Sequence, residues 1–329
     1  MRRDPTMQDV ADIVGVSKRT VSRVVRDEGG CTEETRQRIL DAIAHVGYRP
    51  NLLARGLTTR RSGTVGVVCS DMTAPFFPAV AQGIQRIARE TGLTMFFAST
   101  EHDEDRQAEV LNNLWSHAVE GVIVFPSGNS ANSLLNFAQR GLAVVAVNGR
   151  VSGPNLASVA FDFESAGRTA TQHLIDTRSG PIIMIDSVMK PDHNCTRRAG
   201  FRAAMADAGF TETLIVEQSP DAKGGEAAID EVLTLCPDVS GIIAYNDLMA
   251  IGAIRRLQDL GRDVPTDTAV VGFDDLDISS LVRPALTTVR LDPHDLSVAT
   301  MERLAELRSS GRSDGVQLLT CRLIVRDSA

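Results

Sequence analysis

The chain has 329 residues, of which 43% are hydrophobic and 4% aromatic, and its formal net charge is -8. This length predicts a small domain followed by one or two larger ones, because a single hydrophobic core stops growing near about 250–300 residues. No apolar run approaches the roughly 18 residues of a membrane-spanning helix, and acidic residues interrupt the N-terminal stretch, so neither a membrane span nor a secretory signal is expected.

The spacing of the cysteines indicates the redox environment of the protein. The five cysteines are scattered without a CxxC pair, which favours reduced thiols and a cytoplasmic protein over a disulfide framework or a zinc site.

The charged residues are unevenly distributed along the chain. Residues 1–61 contain 12 Lys and Arg against 8 Asp and Glu, whereas residues 62–329 contain 22 against 34. A basic head on an acidic body indicates a polyanionic partner at one end, although a solvated charged face would give similar counts.

Three short helices are predicted in the head, residues 1–49. Thr6 can cap a first helix that Gly15 ends, and Ser17 can cap a second. Thr32 can cap a third helix that Gly47 ends. In the second helix, "KRTVSRVV", the valines fall on one face and the cations on the other. Two short helices joined by a tight glycine-containing turn are typical of a helix-turn-helix that places a basic face in the DNA major groove, and a small three-helix bundle with a solvated face is the alternative.

Two stretches of the head lie between Thr6 and Leu57, namely "TMQDVADIVGVSKRTVSRVV" and "TRQRILDAIAHVGYRPNLLARGL". Both resemble the lactose-repressor family of bacterial transcription regulators. The resemblance implies that three cations contact bases, namely Lys18, Arg19 and Arg23. It implies that four hydroxyl side chains help to hold phosphates, namely Thr6, Ser17, Thr20 and Ser22.

A linker, residues 50–61, follows with the sequence "PNLLARGLTTRR". Pro50 can stop the third helix, and Asn51 can cap a short segment that ends near Leu57. The resemblance implies a hinge helix that orders on DNA and inserts Leu57 into the minor groove, with Ala54 beside it. The alternative is an ordinary linker whose leucines dock on the body.

The body, residues 62–329, alternates strands with helices. A first series runs from "TVGVVCS" to "EGVIVFP", and a second runs from "ASVAFD" to "TAVVGFDD". The predicted fold class is therefore a helical head followed by an α/β body of two lobes with doubly wound parallel sheets. In such sheets, ligands bind at the carboxyl ends of the strands, here in the cleft between the lobes.

The resemblance continues through the body, in "APFFPAV", "YNDLMAIGAIRRLQDLGRDVP", "VVGFDD" and "PALTTVR". It extends to periplasmic sugar-binding proteins and implies an N-lobe of about 62–161 and 291–321, a C-lobe of about 162–290 and three crossovers. Matching motifs by position implies effector contacts from Ser70, Asp71, Phe76, Arg197, Asn246 and Asp274, with His193 and Asp162 as weaker candidates. Carboxylate, amide and guanidinium groups together suit a sugar or sugar acid, but several of these residues could instead cap helices.

One feature departs from the family pattern. Some members place an aromatic side chain over the ligand from the loop before "GGEAAIDEVL", whereas this chain has Ser219 in "EQSPDAKGG". Stacking on the ligand from that side is therefore not expected, and the effector stays unidentified.

No catalytic or cofactor site is predicted. "PDHNC" and "EHDED" lack HExxH or CxxC spacing, and the α/β body has no GxGxxG or Walker loop. "VGFDDLD" could be an acidic metal site, but strand-end acceptors for a ligand explain it equally well. An enzyme is therefore not expected, and no cofactor is implied.

The preferred prediction is a ligand-responsive repressor that binds pseudo-palindromic operator DNA as a homodimer. The alternatives are a solute receptor for transport and an enzyme that uses the cleft between the lobes. The chain ends at "LIVRDSA" without a leucine heptad, which predicts no tetramer-forming helix.

Overall fold

The three helices of the head begin directly after the predicted capping residues, and the first and third end at the predicted glycines. The structure is a computed structural model that describes residues 5–25, 27–48, 62–128, 130–188, 196–312 and 315–329. The helices of the head are α1 (Met7–Val14), α2 (Lys18–Val25) and α3 (Glu33–Val46). Thr6 and Asp9 form a reciprocal capping box at the start of α1, in which the Asp9 carboxylate accepts from Thr6 N at 2.6 Å. Gly15 and Gly47 end α1 and α3 in the left-handed conformation.

A small apolar core holds the head together. Its buried members are Val10, Ala11, Val14, Val21, Val24, Ile39 and Ala42. The Arg38 guanidinium of α3 donates to the Val14 carbonyl at 2.9 Å and so satisfies one of the free carbonyls at the end of α1. Residues 1–63 form one compact unit and residues 64–329 another. The predicted linker residues Asn51, Ala54 and Leu57 lie outside the described residues.

Strands and helices alternate through the body. The strands are β1 (Thr64–Cys69), β2 (Thr94–Ser99), β3 (Val122–Val124), β4 (Val144–Val147), β5 (Leu156–Phe161), β6 (Ile182–Ser187), β7 (Ile215–Gln218), β8 (Gly241–Ala244), β9 (Ala269–Asp274), β10 (Thr287–Arg290), β11 (Val316–Leu319) and β12 (Arg322–Ile324). The helices are α4 (Phe76–Glu90), α5 (Glu104–Ser116), α6 (Ala131–Gln139), α7 (Phe163–Thr177), α8 (Thr196–Asp207), α9 (Ala222–Leu235), α10 (Asp247–Asp259) and α11 (Pro293–Ser310), with a 3₁₀ turn at Asp277–Ser280. No described helix is long and apolar enough to cross a membrane.

The strands form two six-stranded sheets, which confirms the two doubly wound units. The first has the order β11-β5-β4-β3-β1-β2, and the second has the order β12-β10-β9-β8-β6-β7. The pairings within the first sheet are parallel, whereas β12 is antiparallel to β10 in the second. The central strands are buried valine and isoleucine runs, as parallel sheets covered on both faces require.

The chain passes between the sheets after β5, after β10 and between β11 and β12. β5 pairs with β4 in the first sheet, although the sequence pattern groups it with the second series. The sequence interpretation also missed α6 and β4, although Gly141 separates the short helix "SLLNFAQ" from the apolar run "AVVAV". These elements complete the first lobe, and their loops reach the same edge as the ends of β1 and β3.

Candidate functional site

One face of α2 presents the cations of the head to solvent. Lys18, Arg19 and Arg23 are exposed, and Val21 and Val24 on the opposite face are buried in the head core. This division confirms the predicted amphipathic helix. An exposed helix with Lys and Arg on one face has the shape and the donors needed to contact guanine in a major groove.

Three of the predicted phosphate-holding side chains take part in hydrogen bonds at helix N-termini. Ser17 Oγ accepts from Thr20 N at 3.1 Å and lies 2.8 Å from Thr20 Oγ1, at the start of α2. Thr6 is engaged with Asp9 in the capping box of α1, and Ser22 is half-buried. Ser17, Thr20 and Thr6 therefore lie at helix N-termini, where backbone N–H groups and the helix dipole attract anions.

A cavity of about 560 Å³ lies at the carboxyl ends of strands from both sheets of the body. Of the eight predicted effector residues, those that line it are Ser70, Asp71, Phe76, Arg197, Asn246 and Asp274. Asp162 is not among the lining residues, because its carboxylate caps α7 by accepting from Ser165 N at 3.1 Å. His193 lies outside the described residues.

The wall from the first sheet contains Ser70 and Asp71, which directly follow β1. Asp71 Oδ1 accepts from both the backbone N and the Oγ1 of Thr73, each at 2.7 Å. Its other oxygen lies 4.0 Å from His102 Nε2, and His102 also lines the cavity. One oxygen of Asp71 is therefore engaged in hydrogen bonds within its own loop.

Arg197 lies in the first turn of α8 and is enclosed by aromatic rings. Its guanidinium carbon is 3.9 Å from the ring centroid of Phe163, 4.6 Å from that of Tyr245 and 5.1 Å from that of Phe273. Each distance is within the range of a cation–π contact. Arg197 Nε is buried and has no hydrogen-bond partner among the described residues. The stacked rings fix the direction of the guanidinium, and its planar fork is left with donors for a ligand.

Asp274 ends β9 with a backbone φ of 115°, a conformation that residues other than glycine rarely adopt. Burial raises the pKa of its carboxyl well above the usual value, and nearby Asp247 raises the pKa further, whereas Arg197 lowers it. A protonated carboxyl at this position can donate a hydrogen bond as well as accept one. Strained backbone at a cavity wall is common at ligand sites.

Asn246 lines the cavity and also holds backbone. Its Oδ1 accepts from Met249 N at 2.9 Å as the N-cap of α10, and its Nδ2 donates to the Pro220 carbonyl at 2.9 Å. Asn246 therefore caps a helix in addition to lining the cavity. Asn246 ties the loop around Pro220 to the start of α10 and places both on the cavity wall.

Several lining residues were missed by the sequence interpretation. The polar ones are His102, Ser127, Asn148, Arg150, Ser187 and Tyr245, and the aromatic ones include Phe77, Phe125 and Phe163. Asn148 and Arg150 follow β4, so recognising "AVVAV" as a strand would have indicated them. The phenylalanines meet edge to face, with ring centroids 5.1 Å apart for Phe77 and Phe125, and they form an apolar wall.

The acidic stretch "VGFDDLD" does not form a metal site. Among the described residues, no group of three or more His, Cys, Asp or Glu side chains could hold a metal ion. Asp275 instead accepts from Arg290 and from Arg326, each at 2.6 Å. This pairing neutralises the carboxylate next to Asp274, and Asp274 is the acid of this stretch that lines the cavity.

Comparison with known families matches almost the whole chain. Residues 6–51 match the model described as "Bacterial regulatory proteins, lacI family". Residues 62–313 match the model described as "Periplasmic binding proteins and sugar binding domain of LacI family".

Individual proteins show the same likeness. Catabolite control protein A of Priestia megaterium is 31% identical over 92% of each chain. The transcriptional regulator GalR of Escherichia coli K12 is 32% identical over 87% of this chain and 84% of its own. The structure of a complex of the regulator CelR with cellobiose superposes with a TM-score of 0.73 at 28% identity, over 99% of this chain and 100% of that one. The lac repressor dimer bound to operator and the anti-inducer ONPF shares the fold, with a TM-score of 0.89 at 24% identity over 99% of each chain.

Proposed function

The chain belongs to the LacI family of bacterial regulatory proteins, and on that premise we propose that it represses carbohydrate-related genes under the control of a small-molecule effector. As a member of this family it is a DNA-binding transcriptional regulator and not an enzyme. The observation that supports the proposal is the combination, in one chain, of an exposed cationic α2 with a cavity lined from both sheets.

The proposed effector is a sugar or a sugar acid. Arg197, Asp274 and Ser70 supply donors and acceptors to a cavity whose other wall is aromatic, and such a mixture suits a ring with hydroxyls on its edge and C–H groups on its face. The relative CelR was solved as a cellobiose complex, which supports the same class of ligand. A ligand that contacts both lobes favours one arrangement of the lobes and thereby changes the population that binds DNA, by as much as its affinities for the two states differ. We expect it to release the protein from DNA.

The proposed DNA contacts follow the layout of the head. Lys18, Arg19 and Arg23 contact bases of one half-site, and a second copy of the chain contacts the other half-site of a pseudo-palindrome. The remaining proposed contacts are Thr6, Ser17, Thr20 and Ser22 to phosphates, and Asn51, Ala54 and Leu57 at the minor groove.

The proposal is tested by measuring the affinity of Arg19→Ala for an operator obtained by in vitro selection and for single-base variants of it. Loss of a base contact should cost about 1–3 kcal/mol and relax the preference at one base pair of each half-site. Thr20→Ala is the matched control, since a lost phosphate contact weakens all sequences alike. Uniform weakening by Arg19→Ala would contradict its role as a base contact, and absence of any selected operator would contradict the proposed function.

A further inference from the structure

The cavity of the body contains two arginines, one from each lobe. Arg150 follows β4 of the first sheet and is exposed at the cavity, and Arg197 begins α8, which follows β6 of the second sheet. Within the described part of the chain, neither guanidinium has a carboxylate within 4.0 Å. The chain as a whole has a net charge of -8, so two cations without ion pairs in one cavity are unexpected in an acidic protein.

Arg198, the residue next to Arg197, forms ion pairs with carboxylates of the same lobe. Arg198 Nε donates to Asp186 Oδ2 at 2.8 Å, and its Nη2 donates to both Asp186 and Glu217. These bonds join the ends of β6 and β7, and they pair Asp186 and Glu217 with Arg198. Arg197 turns away from them, and its buried Nε is left without a hydrogen bond among the described residues. A buried donor without an acceptor is costly, and a ligand acceptor would remove that cost.

The two acids that line the cavity, Asp71 and Asp274, form no ion pair with Arg150 or Arg197. Asp71 uses one oxygen for Thr73 and faces His102 with the other. Burial and nearby Asp247 raise the pKa of Asp274, whereas Arg197 lowers it, and the net rise favours the neutral carboxyl more than in an ordinary aspartate. A neutral carboxyl can donate a hydrogen bond to an anion, whereas an ionised one would repel it. The two guanidinium groups therefore line the cavity without an ion pair, and both can donate to an anion.

We propose that the effector carries an anionic group, a carboxylate or a phosphate ester, that binds between Arg150 of the first lobe and Arg197 of the second. Guanidinium groups pair with both kinds of oxyanion through two parallel hydrogen bonds. Because the arginines come from different lobes, one anion that binds both favours the arrangement in which the lobes hold it together. This inference rests on the proposed function, since it narrows the class of ligand for the same cavity.

The test is a binding measurement on the full-length protein with matched pairs of probes that differ in charge. The pairs are glucose with gluconate, glucose with glucose 6-phosphate, galactose with galacturonate, and benzyl alcohol with benzoate. The sugar pairs separate a carboxylate from a phosphate ester, and the last pair asks whether the apolar wall accepts an acid without sugar hydroxyls. Binding is followed by the shift in melting temperature and by calorimetry, because a ligand of the folded state raises the melting temperature.

The expected result is that the acidic member of at least one pair binds about tenfold or more tightly than its neutral partner. Arg150→Gln should abolish most of that preference, Arg150→Lys should retain part of it, and added salt should weaken it. Arg89→Gln is the matched control, since Arg89 is an exposed arginine of the same lobe on α4, away from the cavity residues. This control should bind like the wild type.

Three results would overturn the proposal: equal or tighter binding of the neutral members, an unchanged preference in Arg150→Gln, or no binding of any acidic probe. Operator affinity is measured in parallel. A neutral sugar that binds and releases the operator overturns the anionic ligand but leaves the proposed function intact. Operator binding that no bound ligand alters contradicts the effector control in the proposed function.

Discussion

At the scale of single residues, the buried carboxylate of Asp247 connects three segments of the second lobe. Asp247 lies at the start of α10 and is fully buried. Its oxygens accept from Leu276 N at 2.8 Å, from Ser279 Oγ at 2.6 Å and from Thr288 Oγ1 at 2.5 Å. These bonds fix the turn after β9, and Asp274, the last residue of β9, lines the cavity. Asp247 is therefore a positioning residue for a wall of the ligand site.

Removing this acceptor should destabilise the second lobe. Asp247→Ala leaves the Leu276 N–H and two hydroxyls without their acceptor, and a buried donor left unpaired costs about 1–3 kcal/mol. We expect a lower free energy of unfolding by about 3 kcal/mol, measured by urea denaturation. Ser165→Ala, at an exposed position of α7, is the control and should leave the free energy unchanged. A variant Asp247→Ala as stable as the wild type would contradict the role of this network.

The same carboxylate predicts a pH dependence with a defined sign. Burial raises the pKa of Asp247 from 3.8 to about 6, against the lowering effect of its hydrogen bonds from Ser279, Thr288 and Leu276. The folded state therefore binds this proton more tightly than the unfolded state, and its contribution to stability is fully present below about pH 4 and lost as the pH rises through about 6.

Melting temperatures of the wild type and Asp247→Asn between about pH 4 and pH 7 measure this contribution. The asparagine cannot ionise, so its stability relative to the wild type should increase as the pH rises through this range. A constant difference between the two proteins would show that Asp247 keeps an ordinary pKa in the folded state.

At the scale of elements, the packing of α7 against α8 decides where Arg197 lies. A Cβ at Gly200 would overlap the Glu164 carbonyl oxygen and lie 2.6 Å from Arg168 N, and a Cβ at Gly167 would overlap the Arg197 carbonyl. The two helices thus pack backbone against backbone, which only glycine permits. The side chain of Arg197 reaches the cavity from this close crossing.

Gly200→Ala tests the crossing, since two effects of opposite sign compete. In a helix with free space, alanine in place of glycine stabilises by about 1 kcal/mol. Here the clash is with backbone, and overpacking costs about 1–3 kcal/mol. We therefore expect a lower melting temperature together with weaker ligand binding, because α8 must move and takes Arg197 with it. An increase in melting temperature would show that the helices have room to separate.

At the scale of the whole molecule, the proposed dimer needs apolar surface on each copy of the chain, and exposed apolar side chains in both lobes can supply it. Leu281 is 72% exposed and Ile278 is 47% exposed, and both lie at the 3₁₀ turn Asp277–Ser280 or directly after it. Phe96 on the edge strand β2 is 44% exposed. Exposed apolar groups of this kind favour association, and a dimer would bring two heads to one operator.

The prediction is that Leu281→Glu weakens the dimer, because a buried charge without a partner destabilises an interface. The molar mass is measured by analytical ultracentrifugation over a range of concentrations. Operator affinity should fall in parallel, since each monomer then binds a single half-site. Leu235→Glu is the matched control, because Leu235 is 55% exposed at the end of α9. A mass and an operator affinity equal to those of the control would contradict a dimer through Leu281.

Sequence periodicity alone determined the elements of the head and most of those in the body. Caps such as Thr6, Ser17 and Gly15 form with neighbours a few residues away, and the valines of α2 follow the helical period, so these features are local. The alternation of strands and helices predicted the two doubly wound sheets for the same reason. The family resemblance added the residues that follow β1, β8 and β9, because a parallel sheet brings its strand ends to one edge.

Only the tertiary structure decided which polar side chains meet. Arg197 and Arg198 are neighbours in the sequence, but the ends of β6 and β7 engage Arg198, while the rings of Phe163, Tyr245 and Phe273 enclose Arg197. Four acids near strand ends have four different roles. Asp162 caps a helix and Asp247 fixes a turn. Asp274 lines the cavity, and Asp275 pairs with arginines. Those differences depend on partners distant in the chain, and local sequence patterns carry no information about them.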